Sequence, residues 1–463
     1  MTAGDLVAAL PFILLAGGAC LVLLGDLLVH ADGRAWVALG AAAALATAVT
    51  AAVIGTGDDA FAGSLRRDGA SVFFAIVVGG STAAALLLAT GYVTRTSLPA
   101  AEVTALTLFS ASGAVLMSSA GDLLVVFVGL ELLSLPLYAL TGLPRAARHA
   151  DESALKYFLL GAAASAVFAY GIALVYAATG SVAIGALAAV ASPVGLAGIA
   201  LLLAGLAFKA ALVPFHFWAP DAYVSAPTPA TAFMAVVAKL GAFAALLRFG
   251  SAVTAPSAAG LDWRASVAVL AAMTLVLGNL AALGQSSLKR LLAYSSIAHA
   301  GYIAIAAAAG VVASSAIAFY LAVYAALTLG AFGVITLLAN DDPRVDDLHG
   351  LARRRPLLVV LLGVLLLGLT GLPPTAGFLA KVYVFEAAIG AQLAWLVLLG
   401  VLTSVVSAAY YLRVLFACLA EGEGEPAAAP TVAGGVVMLA ALAVIVVGIV
   451  PGPLLDAVQT VRF

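Results

Sequence analysis

Five lysines occur among 463 residues, and four of them interrupt long apolar runs: Lys156, Lys209, Lys239 and Lys381. A carboxylate does the same at Glu131 and an imidazole at His299. Such groups can gain and lose a proton, whereas an arginine inside a protein stays charged. All fifteen arginines lie in polar connections or near the ends of apolar runs. This partition suits a path of titratable groups through a membrane, where each central charge costs at least ~2.5–3.5 kcal/mol on insertion scales. Lys239 stands eleven residues into its run, roughly 17 Å deep at ~1.5 Å per residue. Lys209 and Glu131 are similarly central, and their competing reading is a buried structural ion pair. Lys156 follows the start of its run by only three residues, so it can equally be a helix-end lysine that snorkels to the interface. His299 is either a relay group or a satisfied core histidine.

Two of these lysines stand beside proline breaks. In Phe208-Lys209-Ala210-Ala211-Leu212-Val213-Pro214-Phe215-His216-Phe217, the Pro214 ring clashes with the carbonyl of Ala210 and donates nothing in return. In Gly371-Leu372-Pro373-Pro374-Thr375-Ala376-Gly377, which precedes Lys381, the carbonyls of Leu369 and Thr370 are released. Freed backbone at membrane depth is tolerated only inside protein or beside a hydrated cavity. Pro214, His216, Pro373 and Pro374 are therefore the candidate gating residues.

The elements that must carry these groups follow from composition. With 65% hydrophobic and 9% charged residues, the chain cannot coat a water-facing surface as soluble domains do. A net charge of −2 and the absence of a long basic tract exclude a nucleic-acid binder. Cys20 and Cys418 are too far apart in sequence to frame a disulfide scaffold or an iron–sulfur site. A membrane-crossing helix needs roughly 20 apolar residues. That ruler gives fourteen runs: about 6–28, 35–54, 70–90, 102–118, 122–141, 153–178, 195–219, 228–249, 265–284, 290–312, 314–339, 357–390, 394–418 and 431–452. Their continuous apolar character excludes a barrel, whose strands alternate. The fold class expected is an all-α polytopic membrane protein.

The two breaks sit five spans apart, in the seventh and twelfth. Two units of five helices have opposite topology because five is odd, which is the inverted-repeat plan of many transporters. The expected organisation is three N-terminal spans in 1–100, one unit in 101–250, its inverted copy in 262–419, and a last span in 430–463. Glu131 in the first unit is expected to match His299 in the second. With the N-terminus outside, eleven basic residues face the cytoplasm (Arg34, Arg95, Arg145, Arg148, Lys289, Arg290, Arg344, Arg353, Arg354, Arg355 and Arg413) and five face outward (Arg66, Arg67, Arg248, Arg264 and Arg462). Both termini are therefore expected outside. The N-terminus lacks a positive stretch, so the first span is expected to be retained.

The stretches Gly129–Tyr138, Glu152–Gly161, Lys209–Pro229, Leu288–Tyr302 and Gly371–Lys381 resemble the antiporter-like membrane subunits of bacterial NADH-quinone oxidoreductase, respiratory complex I, and within them the subunit N type. The resemblance covers roughly residues 100–418. It implies fourteen helices and proton translocation, with Glu131 as the carboxylate of the fifth helix and Lys156 opening the sixth. Lys209 would be the lysine of the broken seventh, Lys239 the connecting lysine of the eighth, and Lys381 the residue of the broken twelfth. It also implies a hetero-oligomer in the cell membrane whose NAD, FMN, iron–sulfur clusters and quinone belong to partner subunits, with no cofactor or metal in this chain. Subunits of multisubunit sodium/proton antiporters share the plan and remain the alternative.

Two unit charges ~4 Å apart at an effective dielectric of ~20 interact by about 4 kcal/mol. Glu131 is accordingly expected to hold the proton on Lys209, and separation of the pair to release it towards Lys239 and then Lys381. Glu386 is either an exit group or an interfacial residue. The polar loop Asn340–Pro356 either docks a partner or anchors topology. Gly55-Thr56-Gly57-Asp58-Asp59-Ala60 imitates a nucleotide-binding loop but has no strand before it.

Overall fold

Apolar runs of this length satisfy their own backbone only as helices, and helices are what form. The computed structural model describes residues 2–29, 32–143, 150–253, 262–338, 340–422 and 431–461, and among these no strand exceeds an isolated bridge. In chain order the first helices are α1 (Ala3–Leu28), α2 (Gly33–Ile54), α3 (Gly69–Thr96), α4 (Ala100–Ser119), α5 (Leu123–Gly142) and α6 (Ala150–Thr179). The middle of the chain holds α7 (Pro193–Ala210), α8 (Trp218–Ser225), α9 (Thr228–Ala252), α10 (Trp263–Leu283), α11 (Leu288–Ala309) and α12 (Ser314–Thr336). The last are α13 (Leu351–Arg354), α14 (Pro356–Thr370), α15 (Ala376–Gly390), α16 (Ala394–Leu419), α17 (Val432–Ile449) and α18 (Gly452–Gln459).

Thirteen of these helices are long and apolar enough to cross a membrane. The fourteenth crossing, the twelfth in order, is made of two 15-residue halves, α14 and α15. The seventh differs from the expected run of 195–219. Its first half stops at Ala210, and a second half continues to Ser225. That second half ends where it does because Ala226 precedes Pro227 and is pushed to an extended conformation (φ −68°, ψ 153°). Arg145, Arg148 and Arg462 lie outside the described residues.

The helices α4–α9 and α10–α16 form two inverted five-span repeats. Each opens on a tight crossing of its first two helices. A Cβ on Gly113 would come 2.3 Å from the Leu133 nitrogen, and one on Gly278 would come 2.7 Å from the Ala298 nitrogen. In both units only glycine allows that approach. The second helices start in register: Asp122 caps α5 by accepting from the Val125 N–H at 2.8 Å, and Ser287 caps α11 by accepting from the Arg290 N–H at 3.1 Å. Counted from those caps, Ser296 rather than His299 takes the place of Glu131, and His299 takes the place of Ser134. The last span of the first unit, α9, packs against α3, α4, α7 and α12. Every residue of its most apolar stretch is buried, so it is the helix around which the two units close.

Candidate functional site

The two breaks share one backbone design. Ala211 (φ 59°) and Gly371 (φ 86°) adopt the left-handed conformation just past α7 and α14. The Leu212 N–H reaches back to the Ala207 carbonyl at 2.8 Å, and the Leu372 N–H to that of Leu367 at 3.1 Å. This six-to-one closure is the Schellman ending of a helix. Both breaks then pass through a cis proline, Pro214 in the first and Pro374 in the second. Pro373 supplies the residue before it.

Side chains brace the backbone differently at the two endings. At the first break the indole Nε1–H of Trp218 donates to the Phe208 carbonyl at 2.8 Å, and the Val213 N–H donates to Thr274 Oγ1 of α10 at 2.9 Å. At the second, the ammonium of Lys381 donates to the Thr370 carbonyl at 2.7 Å. That is one of the two carbonyls expected to be released. His216 lies in the first break, buried, its ring tilted against that of Phe217, and its Nδ1 has no hydrogen-bond partner among the described residues.

Lys209, Lys239 and Lys381 are 1%, 2% and 5% exposed, and each ammonium has a hydroxyl partner. Lys209, in the last turn of α7, donates to Ser134 Oγ of α5 at 2.8 Å. Lys239 donates to Ser296 Oγ of α11 at 2.6 Å. Lys381 adds a bond to Ser404 Oγ of α16 at 3.0 Å, and Ser404 donates onward to Tyr302 Oη at 3.1 Å. Each ammonium also faces an aromatic ring: Tyr157 at 5.8 Å, Tyr324 at 5.9 Å and Tyr302 at 4.3 Å respectively. The lysines are not repeats of one another. Lys209 precedes its break and Lys381 follows its own.

Glu131 is half-buried and accepts a hydrogen bond from Ser165 of α6. Lys209 is held instead by Ser134, three residues further along the same helix. The expected ion pair between Glu131 and Lys209 is thus open, because each partner is satisfied by a serine. His299 sits in a polar cage. Its Nδ1 shares a proton with Tyr320 Oη at 2.7 Å, its Nε2 lies 3.4 Å from Tyr411 Oη, and Tyr411 in turn meets Ser295.

The other two lysines lie at helix ends and differ in burial. Lys156, read as either an embedded or a helix-end lysine, is about half exposed and pairs with Glu152 at 2.7 Å and Asp221 at 3.9 Å, as a helix-end lysine would. Lys289, expected in a polar connection, is fully buried. It donates to Asp341 at 2.8 Å and to the Ala226 carbonyl at 2.9 Å, where α8 ends. Burial pushes the Asp341 carboxyl up, but Lys289 with Thr228 and Tyr92 outweighs this and holds it below its usual value. On the opposite face Arg248 grips Asp68 through two bonds of 2.8 and 3.0 Å. Burial again works against the Asp68 carboxylate, and Arg248 with Ser71 overrides it, leaving the carboxyl lowered. The loop Asn340–Pro356 is tied down here rather than free, since Asp342 also accepts from Ser287 at 2.6 Å.

A family profile described as "NADH:quinone oxidoreductase/Mrp antiporter, TM" matches residues 120–407. The chain is 42% identical to NADH-quinone oxidoreductase subunit N 1 of Sorangium cellulosum, covering 97% of both chains. The chain belongs to this family. Subunit N of Chloroflexus aggregans is 38% identical over 98% of this chain and 96% of its own. A chain of respiratory complex I from Thermus thermophilus with bound aureothin superposes with a TM-score of 0.86 at 38% identity, covering 97% of this chain and 99% of that one. A chain of the Mrp complex from Dietzia sp. superposes at 0.84 with 22% identity, covering 100% of this chain and 97% of that one, a likeness of fold alone.

Within this family member, reasoning from sequence found the charged groups and both breaks but missed their partners. Ser134, Ser165, Ser296 and Ser404 give no signal, because serine is common in membrane helices and pairs here across distant segments. The tyrosines around His299 were detectable only as aromatic residues in apolar runs. Lys289 was missed because it follows the polar pair Ser286-Ser287, which reads as loop.

Proposed function

We propose that this chain is the antiporter-like, proton-translocating membrane subunit of an NADH-quinone oxidoreductase. It acts within a hetero-oligomer of membrane subunits. The electron transfer from NADH to quinone that drives it takes place elsewhere in that assembly, with NAD, FMN, iron–sulfur clusters and quinone bound by partner subunits. The observation that carries the relay reading is the set of three buried lysines, each held by a hydroxyl, on the two broken helices and on the helix that ends the first unit.

In this reading the proton passes from Lys209 to Lys239 and on to Lys381, with His299 beside the last transfer and Lys156 at the inner mouth. Glu131 acts on Lys209 from a turn away on α5. Swinging the carboxylate from Ser165 towards Lys209 strengthens the hold on that proton, and swinging it back weakens it. The proline breaks leave the seventh and twelfth spans a jointed backbone, so that Pro214, His216, Pro373 and Pro374 are where they yield. Residues 101–250 and 262–419 serve as the two half-paths, between an N-terminal segment 1–100 and a last span in 430–463. The excess of basic residues in alternate loops supports an outer position for both termini.

The test is proton movement per NADH oxidised by the assembled complex in sealed vesicles. Lys209→Met and Lys381→Met are each expected to lower that ratio severalfold while NADH oxidation with an uncoupler persists. Full pumping with either change overturns the relay. Replacing sodium by choline should leave pumping unchanged. A strict sodium requirement would favour the cation/proton antiporter reading, which rests on fold alone.

A further inference from the structure

Lys239 belongs to the first unit, but the hydroxyl that holds it belongs to the second. Ser296 Oγ lies 2.6 Å from Lys239 Nζ, accepts from Tyr324 Oη of α12 at 2.8 Å, and stands 3.4 Å from Tyr223 Oη of α8. Among the described residues it is the one hydrogen-bond acceptor of that ammonium. A serine hydroxyl carries one proton and two lone pairs. With Lys239 charged, both lone pairs are filled by Lys239 and Tyr324, and the serine proton points to Tyr223. With Lys239 neutral, its nitrogen offers a lone pair, and the serine can turn its proton onto that nitrogen while Tyr324 still donates. The hub is satisfied in both states without moving a heavy atom.

We propose that Ser296 is the positioning residue for Lys239, a hydroxyl on the second unit that keeps the last lysine of the first unit in place across the boundary whether or not it carries its proton. This rests on the relay reading above and adds to it which residue joins the halves. Replacing the hydroxyl removes that acceptor from a buried ammonium and leaves only the face of the Tyr324 ring, 5.9 Å away. A small cavity of about 10 Å³, lined by Ser296, Ser295, Thr328 and Leu369 among others, adjoins the serine and gives a threonine methyl somewhere to go.

The experiment uses the assembled complex in sealed vesicles and reads protons moved per NADH oxidised beside uncoupled NADH oxidation. Ser296→Ala is expected to lower the ratio about as far as Lys239→Met, with uncoupled oxidation unchanged. Ser296→Thr is expected to restore most of it, and Tyr324→Phe, which leaves the lysine its acceptor, to retain more than half. Ser296→Cys keeps the volume with only a weak acceptor and is expected to fall with the alanine variant. That arm decides the matter if the alanine variant does not assemble. Full pumping by Ser296→Ala or Ser296→Cys while Lys239→Met is impaired overturns the inference and spares the relay. So does a threonine variant that assembles yet pumps no better than alanine. Full pumping by Lys239→Met overturns the relay itself.

Discussion

The two broken helices close with the same hydrogen bonds, yet they are stabilised by different means. At the first, a tryptophan braces the Phe208 carbonyl, which also accepts from the Ala211 N–H, and Lys209 points away to α5. The half-helix that follows, α8, is clamped by charge: Lys289 grips its last carbonyl, and Asp221 faces Lys156 and Arg290 at 3.9 and 3.3 Å. At the second, the relay lysine itself satisfies the exposed carbonyl. The following half-helix is seated by backbone contact, since a Cβ on Gly377 would fall 1.9 Å from the Gly368 oxygen and one on Gly448 of α17 2.0 Å from the Pro374 oxygen. The first break separates the proton-bearing group from the mechanical one, and the second merges them.

Six substitutions, grouped in four tests, probe that contrast in order of expected effect. Asp341→Asn removes the partner of a fully buried lysine. It is expected to cost about 3 kcal/mol, the lower end for a broken buried pair because Asp341 is partly exposed, read as a lower melting temperature of the solubilised complex. Because the Asp341 carboxyl is held below its usual value, its contribution is present above the ordinary carboxylate range and is lost as pH falls below about 4. The variant should lack that acid-induced decline. Gly448→Ala should cost roughly 1–3 kcal/mol through the second break alone, and a melting temperature equal to the parent's would mean that α17 does not seat it.

Lys381→Met should cost about 1–3 kcal/mol by orphaning the Thr370 carbonyl, beyond its effect on pumping. Lys209→Met should stop pumping with less loss of stability. Equal stability losses in the two would erase the distinction between the breaks. The smallest effect concerns the left-handed residues. Ala211→Gly should stabilise by up to ~1 kcal/mol, and Gly371→Ala should destabilise by at least ~1 kcal/mol, because its new Cβ would also meet Lys381 Cδ at 2.8 Å.

Much of this was legible in the sequence, for physical reasons. The bilayer imposes a length on apolar runs and forbids unpaired backbone, so spans and proline breaks announce themselves. Charges stand out against an apolar background, which exposed Glu131, Lys209, Lys239 and Lys381. Long-range pairing is not written locally: Ser296 lies 57 residues from Lys239, and Ser134 lies 75 from Lys209. The same gap explains the misplacing of Lys289 and the open choice at Lys156, since position along a run says nothing about which side a helix end turns to its neighbours. The register of the inverted repeat needed the caps Asp122 and Ser287 to show that His299 sits one turn beyond the counterpart of Glu131.

The enclosure of the apolar stretch of α9 bears on how the protein is made. Synthesis delivers this helix before α11 and α12 exist, so during translation Lys239 enters the membrane with its hydroxyl acceptor still unmade, 57 residues downstream. A central lysine in that position opposes insertion by about 3 kcal/mol, offset by its otherwise apolar span and by contact with α3, α4 and α7, which are already in place. The nascent chain therefore carries an exposed, half-assembled intermediate until the second unit arrives to cover it, and any pause in translation after α9 lengthens the time for which that helix can be lost to quality control.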